Sequence, residues 1–238
     1  MALYKINKLD YAGFVTCLEN APHIMIDLFD KCQYGNWIGA LKRYKFDGYD
    51  YETGYDLRLE YNKKLRSAQG VQIFNVANEI LHWGGMKDLD EAMEQNLPKS
   101  LKVLDEMAIS RIVQPNLIYT DRIASMSKIY EMWNPEYWII FDSYCAKGLQ
   151  WIVKLYWDHL GYKKHENVLK LPWPVGRVGS PLDGFPRLGT PNQALLGFLY
   201  ASWLCKRIAE LLNQQSNNVF EWKACHIEML AFQLGHDV

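Results

Sequence analysis

Residues 122–144 read RIASMSKIYEMWNPEYWIIFDSY, and the fold class turns on how this stretch is divided. Ile123, Met126, Ile129 and Met132 recur at helical spacing, in phase with Ile118 upstream. Asn134–Pro135 ends that helix, because proline disfavours helical geometry in the residue before it. The short apolar run EYWIIF follows, read as an extended connector or a last helical turn. Asp142 and Ser143 then open SYCAKGLQWIVKLYWDHL, whose Cys145, Leu149, Ile152, Val153 and Tyr156 form one stripe.

The same period runs outward in both directions. VQIFNVANEILHW places Val71, Phe74, Val76, Ala77, Ile80 and Leu81 near helical spacing and stops at Gly84–Gly85. NWIGALKRY and YDLRLEYNKKLRSA are amphipathic candidates around a polar, tyrosine-rich turn, KFDGYDYETGY, and PKSLKVLDEM is a further helix. PNQALLGFLYASWLCKRIAELLNQ and NVFEWKACHIEMLAFQLG close the chain. Strand alternation is nearly absent, so the sequence predicts an all-α fold. The expected arrangement is one domain, 1–238, of two helical lobes with a central cleft, the lobe around 71–160 carrying Lys128 and Asp142. Residues 171–191, LPWPVGRVGSPLDGFPRLGTP, stand apart, with five prolines and four glycines in 21 residues. Loops beyond about 12–15 residues are usually functional or disordered. Trp173, Phe185, Arg177 and Arg187 make this one a candidate for the mouth of the cleft.

Composition narrows the classes. The chain has 238 residues, 49% hydrophobic and 22% charged, the balance of a soluble globular protein. No apolar run approaches a membrane span, and MALYKINKLDYAG lacks a signal layout, so a cytoplasmic protein is expected. The five cysteines show no C-x-x-C and the six histidines no H-E-x-x-H, so no metal or other cofactor is expected and the thiols read as buried and reduced. A net charge of −1 selects no partner. The aromatic content of 14% fits a well-filled core or the stacking walls of a nucleobase pocket.

Lys128 and Asp142 each carry two readings. An aspartate before a helix is a preferred N-cap, and a helix lysine commonly lies in solvent with its stem on apolar neighbours. Yet Lys128 follows Ala124 and precedes Met132 by four residues, beside the apolar stripe, so it can point into a groove. A capping carboxylate is also fixed in place by the helix N-terminus. Desolvation favours the neutral, nucleophilic form of an amine. An amine and a carboxylate without metal suit attack on a carbon that develops positive charge.

A lysine on a helix, a short excursion, then an aspartate opening the next helix resembles the helix-hairpin-helix DNA glycosylases, in particular a bacterial group related to the 8-oxoguanine DNA glycosylase branch. ILHWGGM and HIEMLAFQLG are also similar to stretches of that group. The likeness spans residues 70 to 160 and the C-terminal helix. It implies that Lys128 attacks the sugar C1′, expels the base and forms a Schiff base. Asp142 would activate the lysine and steady the oxocarbenium-like transition state. It implies DNA as partner, a flipped base in a pocket, and repair or defence against invading phage DNA; a monomer is expected. Trp83, Trp133, Trp138 and Trp173 are the candidate walls, though tryptophan is more often core. RIASMS stands where the family carries a glycine-rich hairpin that grips a phosphate, with Ser125 and Ser127 as substitutes. The lysine-to-aspartate spacing of 14 is shorter than the family's. Arg177 and Arg187 are candidate base or phosphate contacts. The competing expectation is a catalytically silent helical module that binds nucleic acid or protein, and a third is a small-molecule enzyme on a helical bundle.

Overall fold

The computed structural model describes residues 10–109, 117–161, 169–172, 174, 180–215 and 220–238. Among them the chain is all-α, with ten helices and no strand. These are α1 (Tyr11–Leu18), α2 (Ala21–Asp30), α3 (Trp37–Leu41), α4 (Tyr51–Ser67), α5 (Val71–Trp83), α6 (Glu91–Ala108), α7 (Ile123–Trp133), α8 (Ser143–Leu160), α9 (Pro191–Gln215) and α10 (Ala224–Asp237). None of the helices described is long and apolar enough to cross a membrane.

α7 is the central helix. Of its eleven residues nine are buried, and α4, α5, α6 and α9 pack around it. A helix enclosed on that many sides carries its polar residues inside as well, which is why Ser125, Ser127, Lys128 and Glu131 are all buried. The second centre is the antiparallel crossing of α8 and α10. A Cβ on Gly148 would lie 1.8 Å from the carbonyl oxygen of Ala231, and one on Gly235 would lie 2.0 Å from that of Tyr144. The two backbones touch directly, so only glycine fits at either point. α2 and α9 flank this pair, and α10 also reaches α3 and α4.

Local chemistry sets the element ends. The tyrosine-rich segment expected to be one turn is in fact divided. Phe46 and Tyr49 exchange backbone hydrogen bonds of 3.0 and 2.8 Å around Asp47 and Gly48, both at positive φ (49° and 83°). That is the conformation for which Asp-Gly is favoured in a tight reversal. Helix α4 then starts at Tyr51, because Asp50 accepts from the Thr53 N–H and the Thr53 hydroxyl takes the Asp50 N–H. After α7, residues 135–137 form a turn and 138–141 run without helix, so EYWIIF divides between its two expected forms. Cys145, Cys205 and Cys225 are buried free thiols, whereas Cys17 is exposed and Cys32 half-buried, which corrects the expectation that all five are inside.

Candidate active site

The site is assembled from four helices and one turn. Ser127 on α7 accepts a hydrogen bond from the Phe141 N–H at 2.9 Å. This bond holds the 138–141 connector along α7, so the next residue, Asp142, arrives beside Lys128, one position further along the helix. The stem of Lys128 lies over Gly84 at the end of α5, where an added Cβ would meet Lys128 Cδ at 2.4 Å and Cε at 2.6 Å. The ammonium is thereby directed at Asp142. Nζ lies 3.5 Å from Oδ2, and the side chains retain only 8% and 18% of their exposure.

The two oxygens of Asp142 have different partners. Oδ1 accepts from the N–H groups of Tyr144 (3.1 Å) and Cys145 (3.0 Å), capping α8. Oδ2 faces the lysine. The cap therefore fixes the carboxylate's orientation, and the free oxygen is aimed by it.

A cavity of about 330 Å³ opens over this pair, near the lower end of the roughly 300–1,000 Å³ range of small-ligand sites. Phe46, Trp83, Tyr144, Phe232 and His236 line it, with Lys45 and Asp47 alongside. The rings brace one another. Tyr144 and His236 stack at 3.7 Å and 14°, while Phe46 meets Trp83 and Phe232 edge-on at 5.2 and 5.5 Å. Aromatic faces around a lysine–aspartate pair suit a flat, polarisable ring with a reacting atom at its edge.

Glu228 on α10 also lines the cavity, and it belongs to a buried cluster behind the pair. Arg58 of α4, fully buried, donates from Nη2 to Glu228 Oε2 at 2.9 Å and from Nη1 to the Gly54 carbonyl at 3.0 Å. Its Nε lies 3.0 Å from Glu131 Oε1. Burial raises the pKa of both carboxyls, Arg58 partly offsets this, and the neighbouring Glu131 charge drives Glu228 further up. One guanidinium serves two buried carboxyls, so the pair as a whole is biased toward keeping a proton, and the Glu131 charge adds to that bias at Glu228.

The remaining expected site residues fall elsewhere. Of the tryptophans, Trp83 lines the cavity. Trp133 instead joins α4, α6 and α7, donating to Asp105 at 3.0 Å beneath the Arg66 guanidinium, which lies 3.7 Å from its ring. Trp138 is core, stacked on Phe198 at 5.7 Å. Ser125 and Ser127 are buried and present no hydroxyl for a phosphate; Ser127 positions the connector. Trp173 and Arg177 lie outside the described residues. Arg187 is exposed, and its neighbour Phe185 stacks on Trp157 at 4.3 Å. Trp157 stands fifteen residues along α8 from Asp142, about 22 Å away at the helical rise. Phe185 therefore packs toward the far end of α8, while the Leu182 N–H donates to Gln150 Oε1 at 3.1 Å in the middle of that helix, and no residue of 180–190 lines the cavity. Among the described residues, no group of three or more His, Cys, Asp or Glu is placed to hold a metal ion.

Tyr44, Phe46, Tyr144, Glu228, Phe232 and His236 were not anticipated from the sequence. The stacked Tyr144–His236 pair depends on α10 lying against α8, a contact distant in sequence that has no local signature. In comparisons with known proteins, no family model, no curated protein and no solved structure matches this chain.

Proposed function

We propose that the protein is a DNA glycosylase that excises a damaged or modified base, with Lys128 as nucleophile. The observation that carries this reading is the Lys128–Asp142 pair, held 3.5 Å apart at the floor of an aromatic cavity with the carboxylate locked by the α8 N-terminus. A base flipped from the stack enters between rings of the Trp83 and Tyr144 kind, which bind by stacking and tolerate different bases. Asp142 Oδ2 holds Lys128 in place while the ammonium gives up its proton to water in the cavity, so Asp142 stays ionised. The amine then attacks C1′ as the glycosidic bond breaks and its electron pair leaves with the base. The carboxylate steadies the positive charge that develops on the sugar. A proton then moves from the attached nitrogen to O4′ as the sugar ring opens, which leaves a protonated Schiff base between Lys128 and C1′. Cytoplasmic repair or defence against phage DNA is the setting that fits this chemistry.

The test uses borohydride, which reduces a Schiff base to a permanent link. Wild type incubated with oligonucleotides carrying oxidised purines, uracil, alkylated bases or bulky modified cytosines, single- and double-stranded, should form a covalent adduct with at least one. Lys128→Gln should abolish the adduct and retain DNA binding. Asp142→Asn keeps the capping oxygen and loses the charge, so excision should slow by about 10²–10³ while the fold persists. An adduct surviving Lys128→Gln would place the chemistry elsewhere. DNA binding by both variants with no excision or trapping by wild type on any base would leave the silent binding module as the function.

A further inference from the structure

The Lys128–Asp142 pair leaves one requirement of base excision unmet. The departing base carries away the bonding electron pair and is a poor leaving group until a heteroatom on it is protonated. Asp142 offers no such proton: one of its oxygens is committed to two backbone N–H groups and the other faces the ammonium. Lys128 spends its lone pair on C1′. Behind them stands a carboxyl that the scheme has not used.

We propose that Glu228 is the proton donor to the departing base, a buried carboxylic acid in the wall of the base-binding cavity, recharged through its partnership with Glu131 and Arg58. The inference rests on the glycosylase reading and assigns the acid within it. Three observations carry it. Glu228 lines the same cavity as Lys128 and Asp142 although it is almost wholly buried, so the cavity is its outlet. Its Oε2 is clamped by Arg58 Nη2 at 2.9 Å, which fixes the carboxyl and gives the anion left after proton release a cation beside it. Glu131, one helical turn after Lys128, competes for the same guanidinium through Nε at 3.0 Å.

A buried ionic cluster of this kind is costly, and apolar residues of similar volume are often at least as stable. Its position against the cavity gives the cost a purpose. Two buried carboxyls sharing one guanidinium favour holding a proton between them, as other paired acids do. The charged and titratable groups around Glu228 are Arg58 on α4, Glu131 and Lys128 on α7, and Asp142 on α8. Tyr44, Cys145, Cys205 and Cys225 are further neighbours, each with its pKa raised by burial, and Lys45, Asp47 and His236 line the same cavity. Arg58 and Lys128 are the cations that oppose proton retention; the carboxyls favour it.

The step balances. The C1′–N bond breaks with its pair on the base, the Glu228 proton moves to a nitrogen or oxygen of that base, and Glu228 becomes a carboxylate paired with Arg58. When water hydrolyses the Schiff base, the lysine amine and the sugar aldehyde are released together with one proton, which restores the acid.

An abasic site has no base to expel, and this separates the acid from the nucleophile. Glu228→Gln keeps the shape and hydrogen-bonding capacity but has no proton to give. It should be trapped by borohydride on abasic-site DNA at the wild-type rate, within about twofold. On the panel member that wild type cleaves fastest, base release should fall by about 10²–10⁴-fold. The decline of wild-type base release at high pH should be absent from the residual rate. Glu131→Gln leaves Arg58 to Glu228 alone, so the acid ionises and the same split should appear; this second variant decides the matter if the first does not fold. Equal base release by wild type and either variant overturns the proposal, as does an equal loss of abasic trapping and base release. A wild type that releases no base from any panel member defeats the glycosylase reading itself, a distinguishable result.

Discussion

The stem of Lys128 crosses Gly84 with no room for a methyl group, and it is this contact, 2.4 Å from a would-be Cβ to Cδ, that directs the ammonium at Asp142. Gly84 has φ −78°, which other residues also adopt, so alanine there strains no backbone. The clash falls on a flexible side chain. Gly84→Ala should therefore shift Tm by no more than a few degrees while moving the amine, and a displacement near 1 Å costs about 10²-fold in a positioned reaction. The rate of borohydride trapping on abasic-site DNA reads this directly; a rate equal to wild type would show that the ammonium's place does not limit attack. Lys128 itself was legible, because its phase lay beside the apolar stripe of α7. Asp142 was legible as an N-cap, and the structure shows one oxygen capping α8 while the other faces Lys128. Arg58 was not. It sits in YDLRLEYNKKLRSA among Lys63, Lys64 and Arg66, and nothing in that polar stretch marks the one cation that turns inward to meet Glu131 and Glu228.

At the scale of elements, the site depends on two backbones in contact. α8 supplies Asp142 and Tyr144; α10 supplies Glu228, Phe232 and His236; and their separation is fixed at Gly148 and Gly235. A methyl group at Gly148 would sit 1.8 Å from the Ala231 carbonyl oxygen, and backbone cannot step aside as a side chain can. Gly148→Ala should destabilise by about 3 kcal/mol or more, the upper end of ordinary overpacking, and lower Tm by roughly 6–12 °C. Thermal unfolding by circular dichroism measures it, and a Tm within 2 °C of wild type would show that the crossing can open without cost. Periodicity found α5, α8 and α9 with nearly the right ends, since each is bounded by glycine, proline or a capping aspartate. It placed the start of α6 seven residues late. The segment before Pro98 is polar, and the Asp90 cap, which accepts from the Met93 N–H at 3.0 Å, lies two turns ahead of that proline. The aromatic walls escaped for a different reason: glycines at 148 and 235 read locally as weak helix positions, and only the assembled crossing shows what they admit.

At the scale of the whole molecule, two buried groups on α10 bend the stability curve in opposite directions. His226 accepts the Lys223 N–H on Nδ1 at 3.0 Å, and burial, reinforced by Arg58, lowers its pKa to about 3. Between that value and the ordinary 6.5 the unfolded chain binds a proton that the folded chain does not. Its stabilising contribution is complete above 6.5 and is lost as pH falls toward 3, by at most about 1.4 kcal/mol per pH unit. Glu228 has the opposite sign. Its pKa is raised by burial and by Glu131, so above about 4.5 the folded chain keeps a proton that the unfolded chain has released. That contribution is complete below 4.5 and declines as pH rises, with Glu131 acting in the same sense. From about 4.5 to 6.5 the histidine and the carboxyls oppose each other, so the wild-type slope there is the difference of the two. His226→Asn retains an acceptor for the Lys223 N–H and removes the titration, so its stability should fall with rising pH across that window. Glu228→Gln should rise across the same window. Urea midpoints at half-unit pH intervals would resolve the two slopes. Parallel curves for the two variants would mean that neither group departs from its unfolded titration, and the proton assigned to Glu228 would then have to sit elsewhere.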